Sequence, residues 1–359
     1  MTSVVHVISG LGMGGAERNL VQLATRLQSC GFSQHVACVG GLDMWADELL
    51  AQGIGVTTLG AVAMLDAPFG VLRLSSLIGR LTPRVLQGWM YHGDLFAALA
   101  HRLASGRESR RLFWNLRASN TDQAGYGSIV AINARLSSWP DLVIANSHAG
   151  FEFHVAQGYR PRRSEVIPNG IETEKFRPDP LVRLAVRSEL GISNDAVVAI
   201  HVARVNPMKD HAVFLKAVAS LPDIRGLLVG AGTESLPLPN NVRALGLRRD
   251  VERLYACADL VVSTSAYAEG FSNVISEGMS AGLVPIATDV GDARTIIGDT
   301  GHIIPARDAN ALMKALAVET PISAAERRAR GLRARARIVE RFTLDQAAER
   351  YERLYREES

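Results

Sequence analysis

Short apolar runs rich in Val, Ile and Leu recur along the 359-residue chain, and between them hydrophobic residues fall at helical spacing. The runs are continuous rather than alternating, as expected of strands buried on both faces of a parallel sheet. In the first half the pattern predicts strands at 4–8, 35–39, 55–58, 85–87, 111–115, 142–146 and 165–167. Two stretches rich in turn residues, 167–171 and 176–179, read as a linker. A second series then follows at 197–202, 226–229, 260–263, 284–288 and 302–304. Strand and helix alternate in both series, which predicts an α/β protein of two Rossmann-like, doubly wound parallel-sheet domains. The expected division is 1–172, 173–342 and a final segment 343–359. That segment is an amphipathic helix, with Thr343 as its N-cap and Leu344, Ala347, Ala348, Tyr351, Leu354 and Tyr355 on one face. It is expected to pack back towards the first domain. Ligands are expected at the strand C-terminal ends, with the two domains facing each other across a cleft.

Composition narrows the class. Hydrophobic residues make up 47% and charged residues 21%, an ordinary globular balance, and the net charge of +3 gives no case for nucleic acid. Cys30, Cys38 and Cys257 form no C-x-x-C pair and fit unbridged thiols in a reducing cytoplasm. No basic flank precedes the first apolar run, so no signal peptide is expected, and no stretch reaches the roughly 18 apolar residues of a membrane span. Membrane contact, if any, would be peripheral. Residues 326–341 carry arginines at 327, 328, 330, 333, 335, 337 and 341. They read either as a solvated helix face or as a patch for acidic lipid head groups, and Arg102, Arg107, Arg110 and Arg111 form a second basic cluster.

The opening turn raises a choice of phosphate. Gly10, Gly12 and Gly15 satisfy G-x-G-x-x-G between a predicted strand and helix, a turn whose N–H groups suit any diphosphate. A dinucleotide site needs an acid at the tip of the second strand, yet that strand ends Ala37-Cys38-Val39-Gly40-Gly41, with Asp43 already in the next loop. The nicotinamide reading fails on that missing partner.

The second half is more specific. In 266–291, Glu269 precedes a helix expected at 272–281 and Glu277 lies inside it. Eight residues at about 1.5 Å rise separate them by about 12 Å, too far to share one proton or one small metal. They suit hydroxyls at two ends of an extended ligand, with N–H groups near Gly270, Phe271 and Ser272 offering phosphate a positive helix end. Arg204 and Lys209 follow the first strand of this domain and can neutralise a diphosphate leaving group. Gly230, in the glycine turn 228–232, suits the base and ribose end.

These motifs together resemble the retaining glycosyltransferases of family 4, which have the GT-B fold. The resemblance rests on Glu269-x7-Glu277, Gly282-x-x-Pro285, Asp289-Val290-Gly291, Gly14-Gly15-Ala16-Glu17-Arg18, Ile167-Pro168-Asn169-Gly170 and the Arg204 and Lys209 pair, in family order over nearly the whole chain. It implies that Glu269 contacts the donor sugar, that Glu277 binds the ribose and that Arg204 and Lys209 hold the diphosphate. Gly14 and Gly15 then form the loop beneath the donor diphosphate, and His92 lies near the transferred sugar. Asn169, Gly230, Gly270, Phe271, Ser272 and Asn273 complete the expected substrate-binding set. Where many relatives continue Gly291 with a second glycine and a glutamate, this chain has Asp292-Ala293-Arg294. No D-x-D is present, consistent with a transferase that needs neither metal nor other cofactor.

The resemblance implies retaining transfer of a hexose or N-acetylhexosamine from a nucleotide diphosphate sugar, UDP-sugar favoured. The acceptor would be a glycan or lipid-linked glycan in the synthesis of a polysaccharide such as lipopolysaccharide. The enzyme would be cytoplasmic, or peripheral on the inner face of the membrane. Alternatives are a GDP-mannose-dependent mannosyltransferase, an epimerase and a non-catalytic nucleotide-sugar-binding protein. Acceptor loops are expected at 64–74 and 113–123.

Overall fold

The computed structural model describes residues 2–12, 14–42, 44–61, 63–117 and 123–357, with backbone alone at 64 and 123–125. Met13 of the glycine turn, Asp43 and 118–122 of the expected acceptor loop lie outside the described residues. The chain divides into one unit of Met1–Gly170 with Leu344–Ser359 and another of Ile171–Thr343.

The first unit is built on a seven-stranded sheet: β1 Ser3–Ile8, β2 Ser33–Cys38, β3 Gly55–Thr58, β4 Val85–Gly88, β5 Arg111–Leu116, β6 Leu142–Ala145 and β7 Ser164–Val166. All neighbours are parallel, in the order β3-β2-β1-β4-β5-β6-β7. Alternate residues of β1 serve two cores: Val4 and Ile8 pack on one face, Val5 and Val7 on the other. That two-sided burial is why these strands read as continuous apolar runs. The helix Leu344–Arg356 belongs to the first of those cores through Ala347, Ala348, Tyr351, Leu354 and Tyr355, and lies against the helix Gly15–Ser29.

The second unit has a six-stranded parallel sheet: β8 Val197–Val202, β9 Ile224–Val229, β10 Val242–Ala244, β11 Leu260–Ser263, β12 Val284–Thr288 and β13 His302–Ile304, in the order β10-β9-β8-β11-β12-β13. The pattern of apolar positions gave no strand at β10. It has three residues, follows Pro237 and Pro239, and occupies the sheet edge, where one neighbour suffices.

The stretch read as a linker is not loose. Ile167, Asn169, Ile171 and Phe176 are buried. A Cβ on Gly170 would stand 2.5 Å from the Leu344 Cα, so only glycine permits that approach. Ile171 in turn forms a bridge with Thr343 and donates its N–H to the Phe342 carbonyl at 2.9 Å.

Candidate functional site

Strand order reverses once in each sheet, between β1 and β4 and between β8 and β11. At such a switch point the chains leaving the two adjacent strands diverge to opposite faces and leave room for a ligand at the C-terminal edge. Most residues singled out from the sequence lie on those four connections.

In the second unit, β8 leads into the loop of Arg204 and Lys209, and β11 into that of Glu269. The Lys209 Nζ donates to Glu269 Oε2 at 2.6 Å, and the Ser265 hydroxyl donates to the same oxygen at 2.9 Å. The loops are stitched together by backbone: the Ala266 N–H donates to the Met208 carbonyl at 2.7 Å, and the Thr264 hydroxyl to the Lys209 carbonyl at 2.8 Å. Asp210 and Ala268 hold left-handed backbone, at φ 45° and 64°, which places both turns among the less populated conformations for side chains of this type. Arg204 is exposed and makes no hydrogen bond or ion pair among the described residues. Gly230 ends β9 at φ 143°, and a Cβ there would stand 2.1 Å from the Ala203 carbonyl oxygen; the site loop therefore requires glycine at this position.

The helix after Glu269 spans Asn273–Ser280, and its N-terminal amides are capped by no side chain of Ser272. The amides therefore carry their partial positive charge beside the Lys209–Glu269 loop. Glu277 is 5% exposed, inside that helix. The Phe271 ring is spent on the core, edge-on to Phe342 at 5.4 Å, so only its backbone can meet a ligand. Gly270 accepts the Asp292 N–H at 3.0 Å, and Arg294, at the departure from the family pattern, pairs with Asp289 at 2.7 Å. Beneath the loop, burial pulls His201 down to about 3 and lowers His211, whose Nε2 meets the Ala203 carbonyl at 3.2 Å. Both imidazoles are neutral at physiological pH.

In the first unit, β1 leads to Gly14 and Gly15 at the start of the helix Gly15–Ser29, and β4 leads to His92 in the first turn of Met90–Leu103. Met90 sits at φ 63°, a strained entry for a non-glycine residue. Desolvation lowers the pKa of His92, whose ring lies edge-on to Tyr126 at 6.2 Å. Trp45 donates from its indole to the Gly12 carbonyl at 2.9 Å, an anchor of the glycine turn that no spacing in the sequence announced. Ser265 and Thr264 were missed for the same reason: a short hydroxyl in a loop carries no period. Asn169 follows β7, away from the switch point, and its Oδ1 accepts from Arg117 at 2.5 Å.

Comparison with known proteins agrees with this layout. The profile "Glycosyltransferase Family 4" matches residues 13–175, and "Glycosyl transferases group 1" matches 196–318. The chain belongs to the family 4, group 1 glycosyltransferases. Within that family, the D-inositol 3-phosphate glycosyltransferase of Mycobacterium sp. (strain KMS) is 32% identical over 166 residues, 41% of this chain and 37% of that protein. The chain thus spans little more than a third of that relative's length. EpsF of Bacillus subtilis (strain 168) is 25% identical over 323 residues, 80% of this chain and 79% of EpsF. HepE of Anabaena, solved in complex with UDP and glucose, superposes with a TM-score of 0.84 at 23% identity over 99% of both chains, which establishes the GT-B fold.

Each basic cluster is in part internal, leaving Arg102 and Arg107 exposed in one and Arg328, Arg333 and Arg341 in the other. Arg327 is buried and donates to the carbonyls of Glu319 and Ile322. Arg330 pairs with Glu319 and Glu326, Arg335 donates to the carbonyls of Thr173, Phe176 and Ser280, and Arg337 to those of Thr295 and Ile296. Four of the seven arginines are internal struts, and only Arg328, Arg333 and Arg341 are exposed. The solvated-face reading therefore holds for Arg328, Arg333 and Arg341 and fails for the other four. Arg110 and Arg111 are buried as well, and Arg102 lies over the Trp139 ring at 4.2 Å. No described helix is long and apolar enough to cross a membrane, and among the described residues no three His, Cys, Asp or Glu are placed to hold a metal.

Proposed function

We propose that the chain transfers a hexose or N-acetylhexosamine from a UDP-sugar to a hydroxyl of a glycan or lipid-linked glycan, with retention at the anomeric carbon. The observation that carries this reading is the Lys209–Glu269 pair at the second unit's switch point, on the loops that hold exposed Arg204 and lead into the N-terminus of the helix Asn273–Ser280. A diphosphate seated there meets Arg204, Lys209 and the helix end, which absorb the charge that grows on the leaving phosphate. Glu269, held by Lys209 and Ser265, presents a fixed carboxylate to a donor-sugar hydroxyl, and Glu277 accepts from the ribose. No side chain is assigned as a covalent nucleophile. The leaving phosphate itself takes the acceptor proton on the face where the new bond forms. The UDP and glucose in the HepE complex support the donor class. The inositol phosphate in the relative's name, a phosphorylated cyclic polyol, is in keeping with a polar hydroxylated acceptor. Transfer is proposed to proceed without a metal.

The test is nucleotide release. Purified protein given UDP-glucose, UDP-N-acetylglucosamine or GDP-mannose is expected to release UDP faster once an acceptor extract is added, and to do so in EDTA. Release of GDP alone would transfer the reading to a mannosyltransferase. Tight donor binding without release from any donor would leave a binding protein.

A further inference from the structure

Among the described residues of the first unit, the two most exposed large apolar side chains, Leu65 and Phe69, lie away from both arginine clusters. Leu65, on the 3-10 turn Met64–Asp66, is 88% exposed, and Phe69 and Leu72 in the following helix Ala67–Leu81 are 63% and 57% exposed. Their spacing of four and three residues puts them on one face. The opposite face is already spent: Val71, Leu74, Leu77 and Ile78 are in the core. Leu42 (46%) and Met44 (36%) extend the apolar area from the loop after β2, which is tied to the loop after β3 by the Ala61 N–H to the Val39 carbonyl at 2.8 Å.

The charges on this helix have one sign. Ala67–Leu81 contains Arg73 and Arg80 and no carboxylate; the preceding Asp66 is turned to the Ala63 N–H at 2.9 Å. An apolar stripe on a helix that carries arginines and no carboxylate is the composition of a helix lying in the interface of an anionic bilayer, and Asp66, Asp47 and Glu48 lie outside that helix. A symmetric contact with a second copy would bring the same arginines together with no carboxylate from this helix to meet them. We propose that Leu65, Phe69 and Leu72 enter the headgroup region of an anionic membrane, with Arg80 at the phosphates; Arg73, exposed but donating from Nη1 to the Leu59 carbonyl at 2.7 Å, adds its charge from the side. The helix follows the C-terminal end of β3, the sheet edge that also bears Gly14 and His92. A lipid-linked acceptor would thus be met where it leaves the bilayer. Only this last step rests on the proposed transfer; membrane binding itself needs no turnover.

Flotation of the full chain with phosphatidylcholine vesicles, with and without phosphatidylglycerol, tests it. The wild type is expected to float with the anionic vesicles and to release at high salt. Phe69→Ser with Leu72→Ser is expected to lower partitioning about 10- to 100-fold, and Arg80→Glu about 5- to 30-fold. Leu65→Ser provides a milder variant, and an unchanged UDP-induced thermal shift verifies that each variant is folded. Wild type that ignores anionic vesicles at low salt overturns the proposal, as does a double variant that floats like wild type. A lipid-free dimer dissolved by the serine pair, without flotation, would reassign the stripe to self-association and equally overturn it. Because flotation uses no donor, its failure leaves the nucleotide-release result standing, and the converse holds.

Discussion

Lys209 and Glu269 neutralise each other at 2.6 Å, which leaves Arg204 as the exposed, unpaired cation of that loop. Arg204→Ala is therefore expected to lower kcat by about 10²–10³, with a smaller effect on KM, because leaving-group charge grows towards the transition state. Lys209→Ala is expected to do the same and in addition to strand Glu269. In a double-mutant cycle, Glu269→Gln should cost less in the Lys209→Ala background than in wild type. Steady-state UDP release measures all of these. Glu277→Gln should weaken UDP and UDP-glucose alike by calorimetry, since both carry the ribose; unchanged UDP affinity would remove that role. Asp94 supplies a pH test away from these loops. It is fully buried, Oδ1 accepts the Asn115 N–H at 3.1 Å, Oδ2 has no partner among the described residues, and burial holds the carboxyl well above its usual range. The folded state thus keeps a proton that the unfolded chain releases, so stability falls as pH rises above the ordinary carboxylate value. Asp94→Asn should raise Tm near about pH 8 and change it little near about pH 4. The sequence revealed Arg204, Lys209 and Glu269 because they lie in the loops that follow predicted strands. It concealed Ser265 and Trp45, whose roles arise only once distant loops meet.

The helix Ala324–Arg341 shows where reading by residue type fails. Seven arginines at mixed spacing look alike in a sequence, yet Arg335 donates to three carbonyls while Arg328 faces solvent. What separates them is the supply of unpaired carbonyls at neighbouring chain ends, which no periodicity encodes. Arg335→Ala is expected to destabilise the second unit by about 2–4 kcal/mol, and Arg328→Ala to stay within about 0.5 kcal/mol, by chemical denaturation. Equal effects would dismiss the strut assignment. The strands were legible by contrast, since burial on both faces writes itself as an unbroken apolar run. β10 escaped because an edge strand of three residues need not carry one.

Across the whole chain, acid should act on both units. Burial lowers His6 and His101 to about 4 in the first unit and His201 to about 3 in the second. Each is neutral when folded and protonates near about 6.5 when unfolded, so stability is full above that value and is lost as pH falls towards about 4. Urea midpoints for both units should therefore drop between about pH 7 and about pH 4.5. Two-unit organisation was readable from the two strand series. That the first unit is discontinuous rests on packing instead: Asn115 Nδ2 and Arg117 Nη2 both donate to the Tyr351 hydroxyl, at 2.8 and 2.9 Å, and Tyr355 donates to Gln87. A fragment of residues 171–343 is expected to fold by itself, whereas residues 1–170 should need the helix 344–356 added as a peptide. Folding of 1–170 alone, judged by circular dichroism and proteolysis, would contradict this. The side-by-side crossings at Gly170–Ile171 and Thr343–Leu344 then impose a timetable on synthesis. As the chain emerges from the ribosome, the half begun first must wait, with the groove for Tyr351 and Tyr355 open to chaperones, until the half begun second has been made.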